Sequence, residues 1–230
     1  KKDDLVWYQS LAERAQKLLA YSPRPLHHRG AGLAIAWAYG KLGIPSFIVE
    51  LEATRGEQKT YFEQVWKGKA FIKPKWFKHP QLGRILIGND YTKLARRNPH
   101  PTDITWQASR NLGWVKDVLQ QLPRLEIQDQ KIIRSGEKYK VTGKVTNVGA
   151  LPTDFAMAHQ LKRAFPITLT IKGVDIVGKT EFPTLAGGKS HKFNVSFVNP
   201  KKPVSLSVAH PRGGSITIPI IRPTTPSRPI

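Results

Sequence analysis

The chain has 230 residues, of which 40% are hydrophobic and 23% are charged. This balance is typical of a folded globular protein and excludes wholesale disorder, a collagen-like repeat and a coiled coil. The absence of cysteine excludes disulfides, thiolate metal sites and a thiol nucleophile. No apolar run approaches the roughly 20 residues that a helix needs to span a membrane, so we expect no membrane span.

The chain carries a large excess of positive charge, with 37 Lys and Arg against 16 Asp and Glu, a net charge of +21. Residues 1–125 hold 21 basic and 10 acidic side chains, and residues 126–230 hold 16 and 6. A nucleic-acid-binding arm or a membrane-docking patch would concentrate this charge in one segment. The even spread predicts a generally basic surface, suited to an acidic exterior or to anionic cell-wall polymers.

The first 51 residues predict two helices and a strand. Apolar residues recur every three or four positions from 5 to 19, the spacing of one helix face, with Asp4 as the N-cap. Residues 32–41 are apolar nearly all round, as expected of a buried helix that Gly43 ends. Residues 44–51 form the short apolar run of a strand covered on both faces, which is the pattern of an α/β domain.

The next part of the chain predicts irregular structure followed by a third helix. Residues 66–101 contain prolines among many lysines, which predicts surface chain with one short strand or hairpin arm near residues 83–90. A helix follows Asp103 and ends before Pro123. Its apolar residues have helical spacing and define one face, namely Ile104, Ala108, Leu112, Val115, Leu119 and Leu122.

Beyond residue 125 the apolar residues alternate with polar ones, which is the period of a strand. This alternation recurs near residues 139–145, 167–172, 193–197, 204–208 and 216–220, with turn sequences between the stretches. Strands without intervening helices predict a small antiparallel sandwich of the immunoglobulin-like class. We therefore expect an α/β domain at 1–125, an all-β sandwich at 126–222 and a flexible tail at 223–230.

Glu50 is the most informative residue of the predicted α/β domain, because it interrupts an otherwise apolar strand. A buried carboxylate is costly unless it is paired or lies at a cleft, and open α/β sheets bind ligands at the carboxyl ends of their strands. Glu50 is thus the candidate general base for a polarised water, with Glu52 at the rim. The alternative is an ion pair of Glu50 with Arg29, Arg55 or a lysine.

The segment GLAIAWAYGKLGIPSFIVELEATRG, at residues 32–56, resembles the C-terminal end of the catalytic domain of zinc metallocarboxypeptidases of the carboxypeptidase A type. In that family the chain reads roughly Gly-Ser-x-Asp-Trp-x-Tyr, a short gap, and then Ser-Phe-x-x-Glu-Leu. The matching positions are Gly32, Trp37, Tyr39, Ser46, Phe47, Glu50 and Leu51. LPRLEI and the later YKVTGKVTNVGALPT are similar to bacterial members that carry an extra sandwich after the peptidase.

The resemblance implies that Glu50 is the base for a zinc-bound water. It implies that the zinc ligands, a His-x-x-Glu pair and a later His, belong to a missing N-terminal part of the peptidase, so we expect this chain alone to be inactive. Ile35 matches the position that sets side-chain preference, which suits an apolar C-terminal residue of the peptide substrate. Two positions depart from the family, since Ala36 replaces an Asp and His28 replaces the mobile substrate-binding Tyr.

The His27-His28-Arg29 loop is the candidate contact for the substrate carboxylate. Arginine offers a bidentate fork to a carboxylate, and histidine adds positive charge below about pH 6.5. The alternative is a solvated basic loop without a ligand.

Two functions from different classes follow from these patterns. The first is the C-terminal portion of a secreted or periplasmic zinc-dependent metallocarboxypeptidase that releases C-terminal amino acids from peptides, with zinc as the cofactor of the full-length enzyme. The alternative is a non-enzymatic basic protein that binds cell-wall or other anionic polymers through the β-sandwich. Nucleic-acid binding is a third option, and it predicts an affinity that falls steeply with salt.

Overall fold

The computed structural model describes residues 1–23, 32–49, 58–198 and 203–221, and combines helices with antiparallel strands. The helices are α1 (Lys2–Leu19), α2 (Ala34–Leu42), α3 (Gln58–Gln64), α4 (Lys93–Arg97), α5 (Ile104–Gln121) and α6 (Ala156–Gln160). The strands are β1 (Phe71–Ile72), β2 (Lys75–His79), β3 (Gly83–Ile87), β4 (Asp90–Tyr91), β5 (Leu125–Ser135), β6 (Lys138–Asn147), β7 (Ile167–Ile171), β8 (Val177–Gly178), β9 (Glu181–Phe182), β10 (Ser190–Val198), β11 (Val204–His210) and β12 (Gly214–Ile221).

The chain divides into two compact units. The larger, here the sandwich unit, comprises Lys1–Leu11, Leu26–Phe47 and Asp117–Ile230, and the smaller, here the small unit, comprises Ala12–Pro25 and Ile48–Lys116. The sandwich unit therefore contains the strands of the C-terminal part together with the beginning of α1, the whole of α2 and the end of α5.

Two four-stranded antiparallel sheets form the core of the sandwich unit. The first, here the β6 sheet, has the order β5-β6-β10-β8, and the second, here the β11 sheet, has the order β12-β11-β7-β9. Buried residues alternate along β10, β11 and most of β7, and β6 buries Val141 and Val145, because successive side chains of a strand point to opposite faces. The fully buried side chains come from both sheets and include Val141, Val145, Ile167, Leu169, Val195, Phe197, Leu206 and Val208. The antiparallel strands predicted for this part of the chain are confirmed.

Asn147 fixes the turn that follows β6 and joins it to the start of the sandwich. Its side chain is fully buried, and its Oδ1 accepts hydrogen bonds from the N–H groups of Arg124 and Gly149 at 3.1 Å each. Its Nδ2 donates to the carbonyls of Leu151 and Leu185. All four hydrogen-bonding positions are occupied, which offsets the cost of burying an amide.

The small unit contains more regular structure than its prolines suggested. Strands β2 and β3 form a hairpin in which Phe77 pairs with Ile85, and β1 pairs with β4. Tyr61, Phe62 and Trp66 form its buried cluster together with Ala70 and Ala95. The hairpin arm expected near residues 83–90 is confirmed, whereas the expectation of largely irregular chain over 66–101 is wrong, since two strand pairs and α4 lie there.

The strand predicted over residues 44–51 does not form over residues 44–49, the part of that range that the structure describes. Ile44 and Ile48 are 41% and 58% exposed, and none of residues 44–49 pairs with another strand. Helix α2 forms as predicted, but it buries no residue, and Trp37 is 59% exposed. A strand needs a neighbour to satisfy its backbone groups, and no described strand pairs with this segment.

The apolar face predicted for α5 lies on the surface. Ile104, Leu112, Val115, Leu119 and Leu122 are between 43% and 59% exposed, and Ala108 is exposed too. The buried residues of the helix are Gln107 and Trp114. Polar contacts hold this other face, since the Tyr21 hydroxyl donates to Oε1 of Gln107 at 3.0 Å. The helix thus packs through its mixed face and leaves its apolar face without a described partner.

Candidate functional site

Helix α2 carries two of the motif positions, Trp37 and Tyr39, and ends in a tight reversal. Gly43 follows the helix with φ 66° and ψ 27°, the left-handed conformation that glycine adopts at little cost. A Cβ atom at this position would lie 2.5 Å from the Cα of Ala158 in α6. Both the backbone angle and the lack of space require glycine here, and they fix the point at which the chain leaves α2 toward residues 44–49.

Asp4 connects α1 and α2 with the N-terminus of α6. Its Oδ1 accepts from the N–H of Ala156 at 2.7 Å and its Oδ2 from the N–H of Met157 at 3.0 Å. The Tyr39 hydroxyl donates to Oδ2 at 2.8 Å. Asp4 is only 2% exposed, so these three donors compensate for its burial. The prediction that Asp4 caps its own helix is wrong, because α1 already begins at Lys2 and the carboxylate binds the free N–H groups of another helix.

Tyr39, a motif position, is held in its protonated form by this arrangement. Burial raises the pKa of the Tyr39 hydroxyl far above its usual range, and the hydrogen bond and negative charge of Asp4 raise it further. The Tyr39 ring packs edge-on against Tyr8 with ring centres 5.7 Å apart. The Tyr39 hydroxyl is therefore a hydrogen-bond donor that positions α2, and it is not available as a base.

The motif residues Ser46 and Phe47 pack against α1. The N–H of Ser46 donates to the Tyr8 hydroxyl at 3.1 Å, and the rings of Phe47 and Tyr8 lie 5.1 Å apart. Burial raises the pKa of Tyr8, and the hydrogen bond from Ser46 opposes that rise. Phe47 also borders a small core of Leu11, Leu151 and Phe155. These contacts hold residues 46 and 47, which precede Glu50 in the chain, against α1.

The predicted site is only partly within the described residues. Glu50, Glu52, Arg29, His27 and His28 all lie outside them. Ile35 lies on α2 and is partly buried, one turn before Tyr39.

The β-sandwich contains a buried charged cluster that the sequence did not reveal. Asp154 and His210 have fully buried side chains, and Oδ2 of Asp154 accepts from Nε2 of His210 at 3.0 Å. The other oxygen, Oδ1, accepts from Nη1 of Arg212, and the N–H of Phe165 donates to Oδ2. Burial by itself raises the pKa of Asp154, but the hydrogen bonds from His210 and Phe165 and the charge of Arg212 outweigh it, so that the pKa is lowered.

The hydrogen bonds of this cluster connect the end of β11 and the turn after it with residues that flank α6. Nε2 of His210 donates to Asp154 and to the carbonyl of Phe165, while Nδ1 accepts from the N–H groups of Arg212 and Gly213. Both ring nitrogens are thus hydrogen-bonded within the sandwich unit. Arg212 also donates through Nη2 to the carbonyl of Leu42 at 3.0 Å, so the cluster holds the last turn of α2.

The cluster of Asp154, His210 and Arg212 could not be predicted from the sequence. Asp154 lies between Thr153 and Phe155, and this local sequence does not mark it as a buried residue. His210 is 56 positions away, and only the antiparallel arrangement of the strands brings the two together.

Within the parts of the chain that the structure describes, no group of three or more His, Cys, Asp or Glu side chains could hold a metal ion. None of the described helices is long and apolar enough to cross a bilayer.

One family matches the β-strand region of the chain. It is a domain of unknown function, DUF8731, and the match covers residues 124–220, from the residue before β5 almost to the end of β12. The matched range is less than half of the chain and contains neither α2 nor the motif around Glu50. No curated protein matches the chain in sequence.

Proposed function

We propose that the chain is the C-terminal portion of a secreted or periplasmic zinc-dependent metallocarboxypeptidase, followed by an immunoglobulin-like sandwich. In the complete enzyme, Glu50 takes a proton from the attacking water and passes it to the leaving amine, which releases one C-terminal amino acid. The motif from Gly32 to Leu51 suggests this function, and the apolar surface of the helices supports it.

The supporting observation is the unpartnered apolar face of α5. Six residues with helical spacing, from Ile104 to Leu122, are all exposed, although an amphipathic helix of a folded protein normally buries that face. The sandwich shows the opposite behaviour, because its predicted core residues are buried almost completely. An apolar helix face of this length fits a helix that covers a sheet, as in α/β domains.

The same reasoning applies to α2 and the segment after it. Helix α2 is apolar in composition and has no buried residue, and residues 44–49 have strand composition without a strand partner. Both features are expected if a sheet formed by preceding residues normally receives this segment as a strand. The proposed occupant of these surfaces is therefore the N-terminal part of the same peptidase domain.

The zinc-ligand motif of the carboxypeptidase family does not occur in this sequence. The sequence contains no His-x-x-Glu pair, and no group of three or more His, Cys, Asp or Glu among the described residues could hold a metal ion. The proposal therefore assigns the zinc ligands to the N-terminal part of the enzyme. The residues of this chain have other roles in it, since Arg29 and His28 bind the substrate carboxylate and Ile35 contacts the substrate side chain.

The strand order of the sandwich supports its immunoglobulin-like assignment. In such domains the first two strands pair with each other and the second pairs with a late strand, while the last two strands join the opposite sheet. Here β5 pairs with β6, β6 pairs with β10, and β11 and β12 lie in the other sheet with β7.

The test is peptidase activity in a form of the protein that includes the residues preceding Lys1 in its gene. The substrate is an acylated dipeptide with a free C-terminal phenylalanine, and the amidated dipeptide is the control, because a carboxypeptidase requires the free carboxylate. We expect cleavage of the free acid alone. Glu50→Gln should lower kcat by about 10²- to 10⁴-fold, the usual contribution of a general base, whereas Glu52→Gln should retain activity.

Two results would contradict the proposal. The first is an extended protein that binds zinc and works equally well with Glu50→Gln, since the base would then be another group. The second is a gene in which nothing precedes Lys1, together with a folded chain that does not bind the dye ANS. Exposed apolar surface binds ANS, so its absence would show that α2 and α5 have other partners.

A further inference from the structure

Lysine side chains are concentrated on the outer face of the β6 sheet. The inner face is defined by Val141, Val145, Phe193, Val195 and Phe197, all of which are buried. The alternating residues of the same strands therefore point outward. Five of these are lysines, here the lysine face, namely Lys131, Lys138, Lys140, Lys144 and Lys192.

The opposite sheet has an outer face of different chemistry. Ile167, Leu169, Val204, Leu206 and Val208 point inward there, so their neighbours point outward. Those outward residues of β7 and β11, and their partners on β12, carry no charge: Thr168, Thr170, Ser205, Ser207, Ala209, Ser215, Thr217 and Pro219. Positive charge is spread evenly along the sequence, yet in the sandwich it is separated between two faces. Solubility alone does not require that separation.

The cross-strand register places like charges beside each other on the lysine face. Lys192 of β10 lies directly opposite Lys144 of β6. Directly opposed like charges destabilise a sheet, so this pairing has a cost in the free protein. Asp129 offsets part of it, because its Oδ2 lies 2.6 Å from Nζ of Lys144. The nearby Glu126 pairs with Arg124.

We propose that the lysine face binds a linear anionic polymer with regularly spaced phosphates and no bases, of the polyol phosphate kind. Complementarity of charge is the first reason, since the bound phosphates would relieve the repulsion between lysines. Lysine is a point charge on a flexible stem, which follows a repeating polymer better than it clamps one small ligand.

The composition of the face favours a base-free polymer over a nucleic acid. Proteins that bind single strands stack the bases on aromatic side chains. The outward positions of β5, β6 and β10 in the described chain carry no aromatic residue; Ile133 and Val198 are the large apolar ones there. The face of a multi-stranded sheet also differs from the α-helix or two-stranded β-ribbon that enters the major groove of a duplex.

The test compares two triple variants of the whole chain in binding to a linear glycerol phosphate polymer. The first removes three charges from the lysine face, as Lys131→Gln, Lys140→Gln and Lys192→Gln. The control removes three charges from exposed positions of the same unit outside that face, as Lys162→Gln, Arg163→Gln and Lys172→Gln. Both variants have the same net charge, so a difference between them reports the face itself.

The salt dependence gives the expected size of the effect. With five contacts to a flexible polyanion, log Kobs should fall against log salt with a slope of about −3.5, and with two contacts the slope should be about −1.4. The same relation predicts a loss of about 100-fold in affinity at about 0.1 M salt for the lysine-face variant. The control variant should keep the wild-type slope. Lys192→Gln alone should also raise the melting temperature, because the opposed charge at Lys144 loses its neighbour.

Equal losses in the two triple variants would overturn the proposal, since net charge alone would then explain binding. Tighter binding of a thymidine oligonucleotide of equal charge would overturn it too, in favour of a nucleic acid. Failure here is distinguishable from failure of the peptidase proposal, because Glu50→Gln leaves the lysine face intact and should bind the polymer as the wild type does.

Discussion

Replacing Asp154 by alanine should destabilise the sandwich unit more than almost any other single polar change. The carboxylate is fully buried and accepts from His210, Arg212 and the N–H of Phe165. Its removal leaves the guanidinium of Arg212 without its carboxylate partner and the N–H of Phe165 without an acceptor, while Nε2 of His210 keeps only the Phe165 carbonyl. Breaking a buried ion pair by removing one partner costs about 3–5 kcal/mol, a large share of the roughly 5–15 kcal/mol that stabilises a typical domain.

The effect should depend on pH in a defined direction. The pKa of Asp154 is lowered in the folded protein, so the carboxylate stabilises the fold at every pH above its unfolded value of about 3.9. This contribution is lost as the pH falls through the lowered folded value. The difference in unfolding free energy between wild type and Asp154→Asn should therefore be constant from neutral pH to about pH 5 and should shrink below about pH 4.

Urea unfolding followed by circular dichroism at several pH values measures both quantities. Asp175→Asn is the matched control, because Asp175 is exposed in the connection between β7 and β8, and such surface changes cost within about 0.5 kcal/mol. Stability of Asp154→Ala equal to that of the wild type at pH 7 would refute the account of the cluster. A gap between Asp154→Asn and wild type that stays unchanged down to pH 3 would refute the assignment of its pH dependence.

Three further changes test other parts of the structure. Asp4→Ala should cost about 1–3 kcal/mol in urea unfolding, because it leaves the first N–H groups of α6 without an acceptor; an unchanged midpoint would contradict that capping role. Gly43→Ala should lower the melting temperature because of its positive φ and the nearby α6 backbone, whereas Gly40→Ala, in open space on α2, should raise stability by about 0.5–1 kcal/mol. Leu112→Ser should change stability by less than about 0.5 kcal/mol in this chain, whereas Val141→Ala should cost about 1–3 kcal/mol; a large loss from Leu112→Ser would show that the α5 face has a partner in this chain.

The candidate site shows which features a sequence pattern can predict and which it cannot. The motif that includes Trp37, Tyr39 and Ser46 could be recognised in the sequence because those residues are close together in it. The contacts that hold them were not, since Asp4 meets α6 across more than 150 positions and Arg212 reaches Leu42 across 170. Local spacing carries no information on which distant strand end or helix terminus will meet a given side chain.

The helices of the N-terminal part also show that a sequence pattern predicts local structure and not the neighbours against which it packs. Their existence followed from apolar spacing, and α1, α2 and α5 are present. Which face each helix buries depends on what lies beside it, and α5 packs through Gln107 and Trp114 and not through its apolar face. Burial is a property of neighbours, and periodicity shows only which face is suited to it.

By itself the sequence determined the change from helical to alternating spacing at residue 125, the strands beyond it and the excess of positive charge, because backbone periodicity and net charge are local or additive properties. Only the tertiary structure decided that five lysines share one outer face, that Lys192 opposes Lys144, and that Asp154 meets His210. Each of these depends on strand register, in which a shift of one residue would turn every side chain to the other face.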